Sequence, residues 1–378
     1  MAAIETYDIV VVGLGAHGSA ALWHLSKTGL KIAGIDRFSP PHQHGSSHGE
    51  SRIIRQAYHE NPLYVPLVQA AYPIWTELNE RTGEPIFQKT GGLLLGKADT
   101  NVVSGARRSA DTHKIPYDYL DAAAIRKRFP AFRAGPDIVG VLEYEAGILF
   151  PETAIKTFLE RSAANGARIN TGEEVLKITP VAHGIELKTT KGQYRTNKLI
   201  VSAGAWLNTL LPELNLPLSI RRQVLFWFGD AGDAGNTEKM PVFIWEYEKS
   251  KLFYGIPDLG HGIKLGWHHG GLPVNPDKLT QHVDKEEIAA MQKRAAENLN
   301  IDPVFEKSCV CMYTNTPDED FIIDLHPRHP NIVIASPCSG HGFKFSVIIG
   351  RLLADLATER PTGFDLTPFS IRRKALAG

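Results

Sequence analysis

The chain has 378 residues, and its 41 Lys plus Arg balance 41 Asp plus Glu, so net charge gives no reason to expect nucleic acid or an anionic membrane as a partner. That length exceeds what one hydrophobic core usually organises, which favours two domains or one two-lobed unit. Three cysteines argue against a disulfide framework and suit a reducing compartment.

The chain opens "MAAIETYDIVVVG", with acidic residues ahead of a short apolar run, unlike a secretory leader. No apolar stretch is long enough for a membrane span, so a cytoplasmic protein is expected. Ile9–Val12 is a continuous β-branched run, as in a strand buried on both faces. Gly13, Gly15 and Gly18 follow as G-x-G-x-x-G, then Ala20, Ala21, Leu22 and Leu25 at helical spacing, with Gly29 as the helix C-cap. "KIAGID" reads as the second strand, closed by Asp36. Gly13 permits the turn, Gly15 lets backbone approach a pyrophosphate, and Gly18 lets helix and strand pack. Asp36 lies roughly 20 residues on, where an acid binds ribose hydroxyls. This unit alone does not separate FAD from NAD.

"SPPHQHGSSHGESRIIRQAY" is next, with His42, His44, His48, Arg52 and Arg55. It reads either as a polar loop crossing a ligand or as a source of imidazole metal ligands. If "SRIIRQAY" is helical, Arg52 and Arg55 share a side and suit an anion. A helix follows from about Asn61, and "FQKTGGLLLG" reads as a strand of a different lobe. Beyond it come a helix and strand with the turn Asn165-Gly166 between them. A hairpin runs into the buried strand Leu199–Ser202, ending at Ala203-Gly204-Ala205. The segment after Arg221 is β-rich, residues 284–298 are helical, and "NIVIASPCSGHGFKFSVIIGRLLADLA" closes as strand, turn and helix. In that turn helix N–H groups and Lys344 suit an anion. Lys264, in Ile263-Lys264-Leu265, reads as the outward residue of an alternating strand. Cys309 and Cys311 in "SCVCMYTNTPDED" leave a metal or redox reading open.

Together "GLGAHG" with Asp36, the His/Arg loop, "LIVSAGAW", "GIKLGWH", "CMYTNTPDEDFIID" and "SGHGFKFS" resemble, in order and over nearly the whole chain, the covalent-FAD amine oxidases of the monomeric sarcosine oxidase and N-methyltryptophan oxidase group. The resemblance implies an α/β (α+β), D-amino acid oxidase-like fold: a Rossmann-like FAD-binding domain from residues 1–85, 146–220 and 322–378, and a β-sheet substrate domain from 86–145 and 221–321. It implies oxidation by O2 of a secondary amine bearing a carboxylate, releasing hydrogen peroxide, on a sarcosine-like N-methyl amino acid. N-methyl-L-tryptophan, fructosyl amino acids and pipecolate- or proline-type cyclic amines are the alternatives within that chemistry. An NAD-dependent dehydrogenase is the alternative from another class.

The resemblance also implies FAD attached as an 8α-S-cysteinyl thioether at Cys311, and no task for Cys309. It implies Lys264, Arg52, His268 and Tyr254 at the catalytic centre, with Lys264 promoting O2 reduction. Arg55, Lys344 and Tyr313 would hold the substrate. Gly13, Gly15, Gly18, Asp36, His48, Ser51, Arg52, Val175, Gly204, Gly340, Gly342, Phe343 and Lys344 would line the cofactor. No metal, nucleic acid or membrane enters this reading, and a monomer is implied. Ser47-His48, Trp267 and Cys338 depart from the family pattern.

Overall fold

The computed structural model describes residues 4–229 and 232–377. The strand Glu5–Val12 lies in the middle of an eight-stranded sheet, with its last four residues buried because helices or strands cover both faces. It pairs in parallel with Ile32–Ile35 on one side and Gln193–Val201 on the other. Ile332–Ser336 extends the sheet beyond Gln193–Val201. One sheet thus draws strands from the start, middle and end of the chain.

The helix Ala16–Leu25 leaves the glycine turn and packs against Pro151–Ala164 and Ser346–Ala357. Close approach to the last depends on Gly350, where an added Cβ would lie 2.6 Å from Ala20. The helix ends before Gly29, because Ser26 and Thr28 donate their hydroxyls to the Trp23 and Leu25 carbonyls and close the last turn. Gly29, at φ +77°, belongs to the following turn and is not the cap.

A second eight-stranded sheet runs Val304–Asn315, Ser219–Gly229, Ile263–His268, Lys251–Ile256, Val242–Glu248, Gly92–Gly96, Val139–Glu143, Tyr117–Leu120. Its core is aromatic, with Phe226, Phe228, Phe243, Trp245 and Phe253 buried together. "FQKTGGLLLG" is not one strand. Gly91, at φ +73°, breaks it, so Gly92–Gly96 joins this sheet while Phe87–Lys89 joins a three-stranded sheet with Gly147–Leu149 and Arg52–Ile54. Arg52–Ile54 is therefore a strand, not a helix, because it pairs antiparallel with Gly147–Leu149. This small sheet, with the loop leading into it, lies where the two large sheets meet. The helix Lys285–Asn298 begins at a reciprocal Asp284–Glu287 capping box.

Among the described residues, no helix is long and apolar enough to cross a membrane, and no group of three or more His, Cys, Asp or Glu is placed to hold a metal ion.

Candidate active site

A cavity of about 480 Å3 runs between the two large sheets. One end is the glycine turn. Gly13 sits at φ +86°, where an added Cβ would lie 2.4 Å from the Ser202 carbonyl. A Cβ on Gly18 would meet the Gly13 carbonyl at 1.8 Å, so Gly18 serves helix packing and does not line the cavity. Gly15 and Gly204 do line it, with nothing closer than 3.8 Å to an added Cβ at Gly15 and nothing within 4 Å at Gly204. At the start of the helix the N-cap is Gly15, which offers no side chain, and the Ala16 N–H makes only a long 3.4 Å bond to Ser47 Oγ, leaving the helix's positive end toward the cavity. Asp36 accepts the Leu14 N–H at 2.7 Å and the Phe38 N–H at 2.8 Å, which keeps free oxygen lone pairs at the wall. Val175 lines the same end. Open glycines, a helix start facing the cavity and an acid beyond the second strand fit a dinucleotide such as FAD.

The middle wall is the Ser46–Arg52 loop against the strand Val304–Asn315. Alternation places Cys309, Cys311 and Tyr313 on one face of that strand, but only Cys311 and Tyr313 line the cavity. Burial pushes the Cys311 thiol up, opposed by Arg52 and Lys264 nearby. Cys309 Sγ lies 3.3 Å from His48 Nδ1. Burial pushes that thiol up to about 11 and the His48 imidazole down to about 3. His48 is thus a neutral side chain behind the loop and is not among the residues lining the cavity.

Arg52 lines the wall and spends its donors on the carbonyls of Ser51 at 2.7 Å, Ser46 at 2.8 Å and His48 at 2.6 Å. Lys264 is 2% exposed, so the outward reading fails: the strand Ile263–His268 is covered on both faces in its first four residues. Its Nζ meets the carbonyls of Gly49 and Ser51, each at 2.7 Å, and Ser51 Oγ at 3.2 Å. Lys264 itself does not line the cavity; Ser51 does, and stands between. Burial, then Arg52, drives the ammonium well below its usual range. The shell suits both protonation states, because the two carbonyls accept from either and the hydroxyl can accept from the ammonium or donate to the amine.

At the far end are Arg55, Glu60, Tyr254, His268, Tyr313, His341 and Lys344, below the turn Gly340, Gly342 and Phe343. Arg52 and Arg55 both line the cavity but do not form one anion site. Arg55 bonds the Ala57 carbonyl at 2.9 Å and forks onto both oxygens of Glu60 at 2.6 Å. Burial opposes both charges, yet each carries the other, holding Glu60 well below the usual carboxylate range. Lys344 Nζ donates to the His341 carbonyl at 2.7 Å and stands 3.5 Å from Tyr58 Oη, which bonds His341 Nδ1 at 2.5 Å. Burial, then Arg55, pushes the Lys344 ammonium down to about 7. Burial likewise keeps His268 neutral and the Tyr254 and Tyr313 phenols protonated.

Glu60, Tyr58 and His341 were not singled out by sequence reasoning. The available signal was an acid five residues past Arg55 in a loop already carrying two arginines.

Residues 8–356 match the family model DAO, FAD dependent oxidoreductase. The chain is 37% identical to a monomeric sarcosine oxidase of Streptomyces avermitilis, across 98% of this chain and 99% of that one. It is 36% identical to an N-methyl-L-tryptophan oxidase of Salmonella heidelberg, across 97% and 99%. Among solved structures it resembles NikD, an unusual amino acid oxidase essential for nikkomycin biosynthesis, with a TM-score of 0.85, 25% identity and 97% coverage of each chain. Glycine oxidase from Geobacillus kaustophilus shares the fold, with a TM-score of 0.81 at 20% identity, across 98% of this chain and 99% of that one.

A lysine lowered to about 7 in the folded state binds fewer protons than in the unfolded state from about pH 7 up to its ordinary pKa. Its presence therefore costs most stability below pH 7, and the cost fades as pH climbs toward that ordinary value. Lys344→Met should be more stable than the parent at pH 6, with the gap narrowing by pH 9. Denaturant unfolding at the two pH values measures this, and a gap independent of pH would contradict it.

Proposed function

The chain belongs to the DAO family of FAD-dependent oxidoreductases, and on that premise we propose that it oxidises a secondary amine carrying a carboxylate, a sarcosine-like N-methyl amino acid, with O2 as acceptor. Amine plus O2 gives imine plus hydrogen peroxide, and water splits the imine into amino acid and aldehyde. The observation that carries this reading is one continuous cavity joining the Gly13–Gly15–Asp36 cradle to Arg55 and Lys344, with Cys311 on the wall between them. The match to an FAD family favours this over a nicotinamide dehydrogenase built on the same glycine turn.

When bound, FAD accepts the hydride from the substrate and passes the electrons to O2. Gly13, Gly15, the start of the helix Ala16–Leu25 and Asp36 hold its nucleotide portion, and Cys311 is the proposed thioether anchor. Arg55 and Lys344 take the substrate carboxylate. A planar guanidinium fork beside an ammonium point charge fixes its orientation, and such positioning supplies up to about 7–11 kcal/mol of a barrier. To engage substrate, Arg55 exchanges one anion, Glu60, for another. Lys344 near neutrality gains its proton as the carboxylate arrives, because an opposite charge favours the charged form. The same cations disfavour an ammonium beside them and so favour the neutral amine that gives up hydride. Tyr254, His268 and Tyr313 line the remaining space as uncharged hydrogen-bonding groups. Lys264 Nζ, linked to the cavity wall through Ser51 Oγ, takes up a proton as negative charge develops beyond that hydroxyl, which lowers the cost of reducing O2. The relatives named monomeric support a monomer.

Peroxide release across N-methyl, cyclic and glycated amino acids tests the substrate, with sarcosine-like N-methyl acids expected to lead. Peroxide from none of the three groups would overturn the reading. Acid precipitation of the holoenzyme should leave the yellow colour in the pellet, and Cys311→Ala should release it to the supernatant. Colour retained by Cys311→Ala would remove that residue as the anchor.

A further inference from the structure

Glu143 is a fully buried carboxylate that no step above uses. It ends the strand Val139–Glu143 in the substrate-side sheet and reaches the chain just past Arg55. Its Oε1 accepts the Gln56 N–H at 2.7 Å; its Oε2 accepts the same N–H at 2.9 Å and the Ala57 N–H at 2.7 Å. Both oxygens are spent on two consecutive peptides, a task that suits an anion with acceptor-only oxygens.

Those peptides control Arg55. The Ala57 carbonyl accepts from Arg55 Nη1, so Glu143 grips the N–H of the residue whose C=O aims the guanidinium. The next residue, Tyr58, lies under both cations of the substrate end, with its ring centroid 4.5 Å from the Arg55 guanidinium carbon and 5.1 Å from Lys344 Nζ. Tyr58 is tied down separately, by Ser109 Oγ donating to its carbonyl at 2.5 Å and by its bond to His341. Glu143 is therefore the tether on the Arg55 side of the loop, reaching in from the opposite sheet. Burying a carboxylate costs several kcal/mol unless it is well bonded, which makes it an expensive choice if only packing were needed.

We propose that Glu143 is a positioning residue for carboxylate recognition: by fixing peptides 56 and 57 it holds Arg55 at the angle that meets the substrate's carboxylate. This rests on the reading of Arg55 as a carboxylate-binding residue. Glu143 does not touch the substrate, and acts through the Ala57 peptide.

The probe is methoxyacetate, the oxygen analogue of sarcosine, which carries the carboxylate but no amine to oxidise. It is titrated into oxidised holoenzyme and followed by the visible flavin spectrum. Glu143→Gln should weaken binding about tenfold, raise KM for the N-methyl amino acid in parallel, and leave the O2 reoxidation rate of dithionite-reduced protein within about twofold of the parent. Arg55→Met separates the two ideas. If Arg55→Met weakens methoxyacetate and Glu143→Gln does not, the positioning role is overturned while the carboxylate reading stands. If neither weakens it, the carboxylate reading falls and takes this proposal with it. Equal losses in binding and reoxidation would mark Glu143 as merely structural and also overturn the proposal. Should Glu143→Gln fail to fold, Glu143→Asp keeps the charge but shortens the reach. It should bind methoxyacetate more weakly than the parent, and parent-like binding would count against the role.

Discussion

Lys264 lies in the interior against two peptide carbonyls and a hydroxyl, with no carboxylate in contact among the described residues, and the Ser46–Arg52 loop is shaped to allow it. A buried charge costs several kcal/mol unless dipoles replace its water. Here the loop turns its carbonyls inward, two onto Lys264 and three onto Arg52, with Ser51 serving both. Gly49 at φ +93° and Glu50 at φ +70° make that inversion. The outer side of the inverted peptides is held too, because Glu152 accepts the Gly49 N–H at 2.7 Å and the Glu50 N–H at 3.0 Å. A Cβ on Gly49 would displace the tip of the Leu225 side chain, 2.4 Å away, and the positive φ itself favours glycine.

From that loop the rest of the site follows. It leads into the strand Arg52–Ile54, whose pairing with Gly147–Leu149 sets where Arg55 emerges. The loop also decides how Cys309 and Cys311 differ: the pleat puts both on one face, yet His48 covers Cys309 while Cys311 is left at the cavity wall. Two cysteines that look like a pair in sequence thus occupy different environments.

The parts legible in the sequence were local. A β-branched run, three glycines and an acid roughly 20 residues on fix a strand–turn–helix–strand unit through rules that act over a few residues, and the observed strands and helix lie there. The same rules failed where topology intervened. "SRIIRQAY" carries no strong period, so its strand state came from a partner nearly a hundred positions away. "FQKTGGLLLG" looked like one apolar strand until Gly91 sent its halves to different sheets. Lys264 fitted an outward position because alternation cannot tell a half-buried strand from one covered on both faces. Glu60, Glu143 and Glu152 carried no motif at all: the last two act on peptides of distant segments, and only the assembled fold brings them there.

We propose that Lys264, buried with no carboxylate partner among the described residues, is kept for the oxygen step. That role is tested most directly by rapid mixing of Lys264→Met in two separate stages: anaerobic reduction by substrate, then reoxidation by O2. Reoxidation should be slowed by orders of magnitude, with reduction close to that of the parent. Equal slowing of both stages, or reoxidation at the parent's rate, would contradict it.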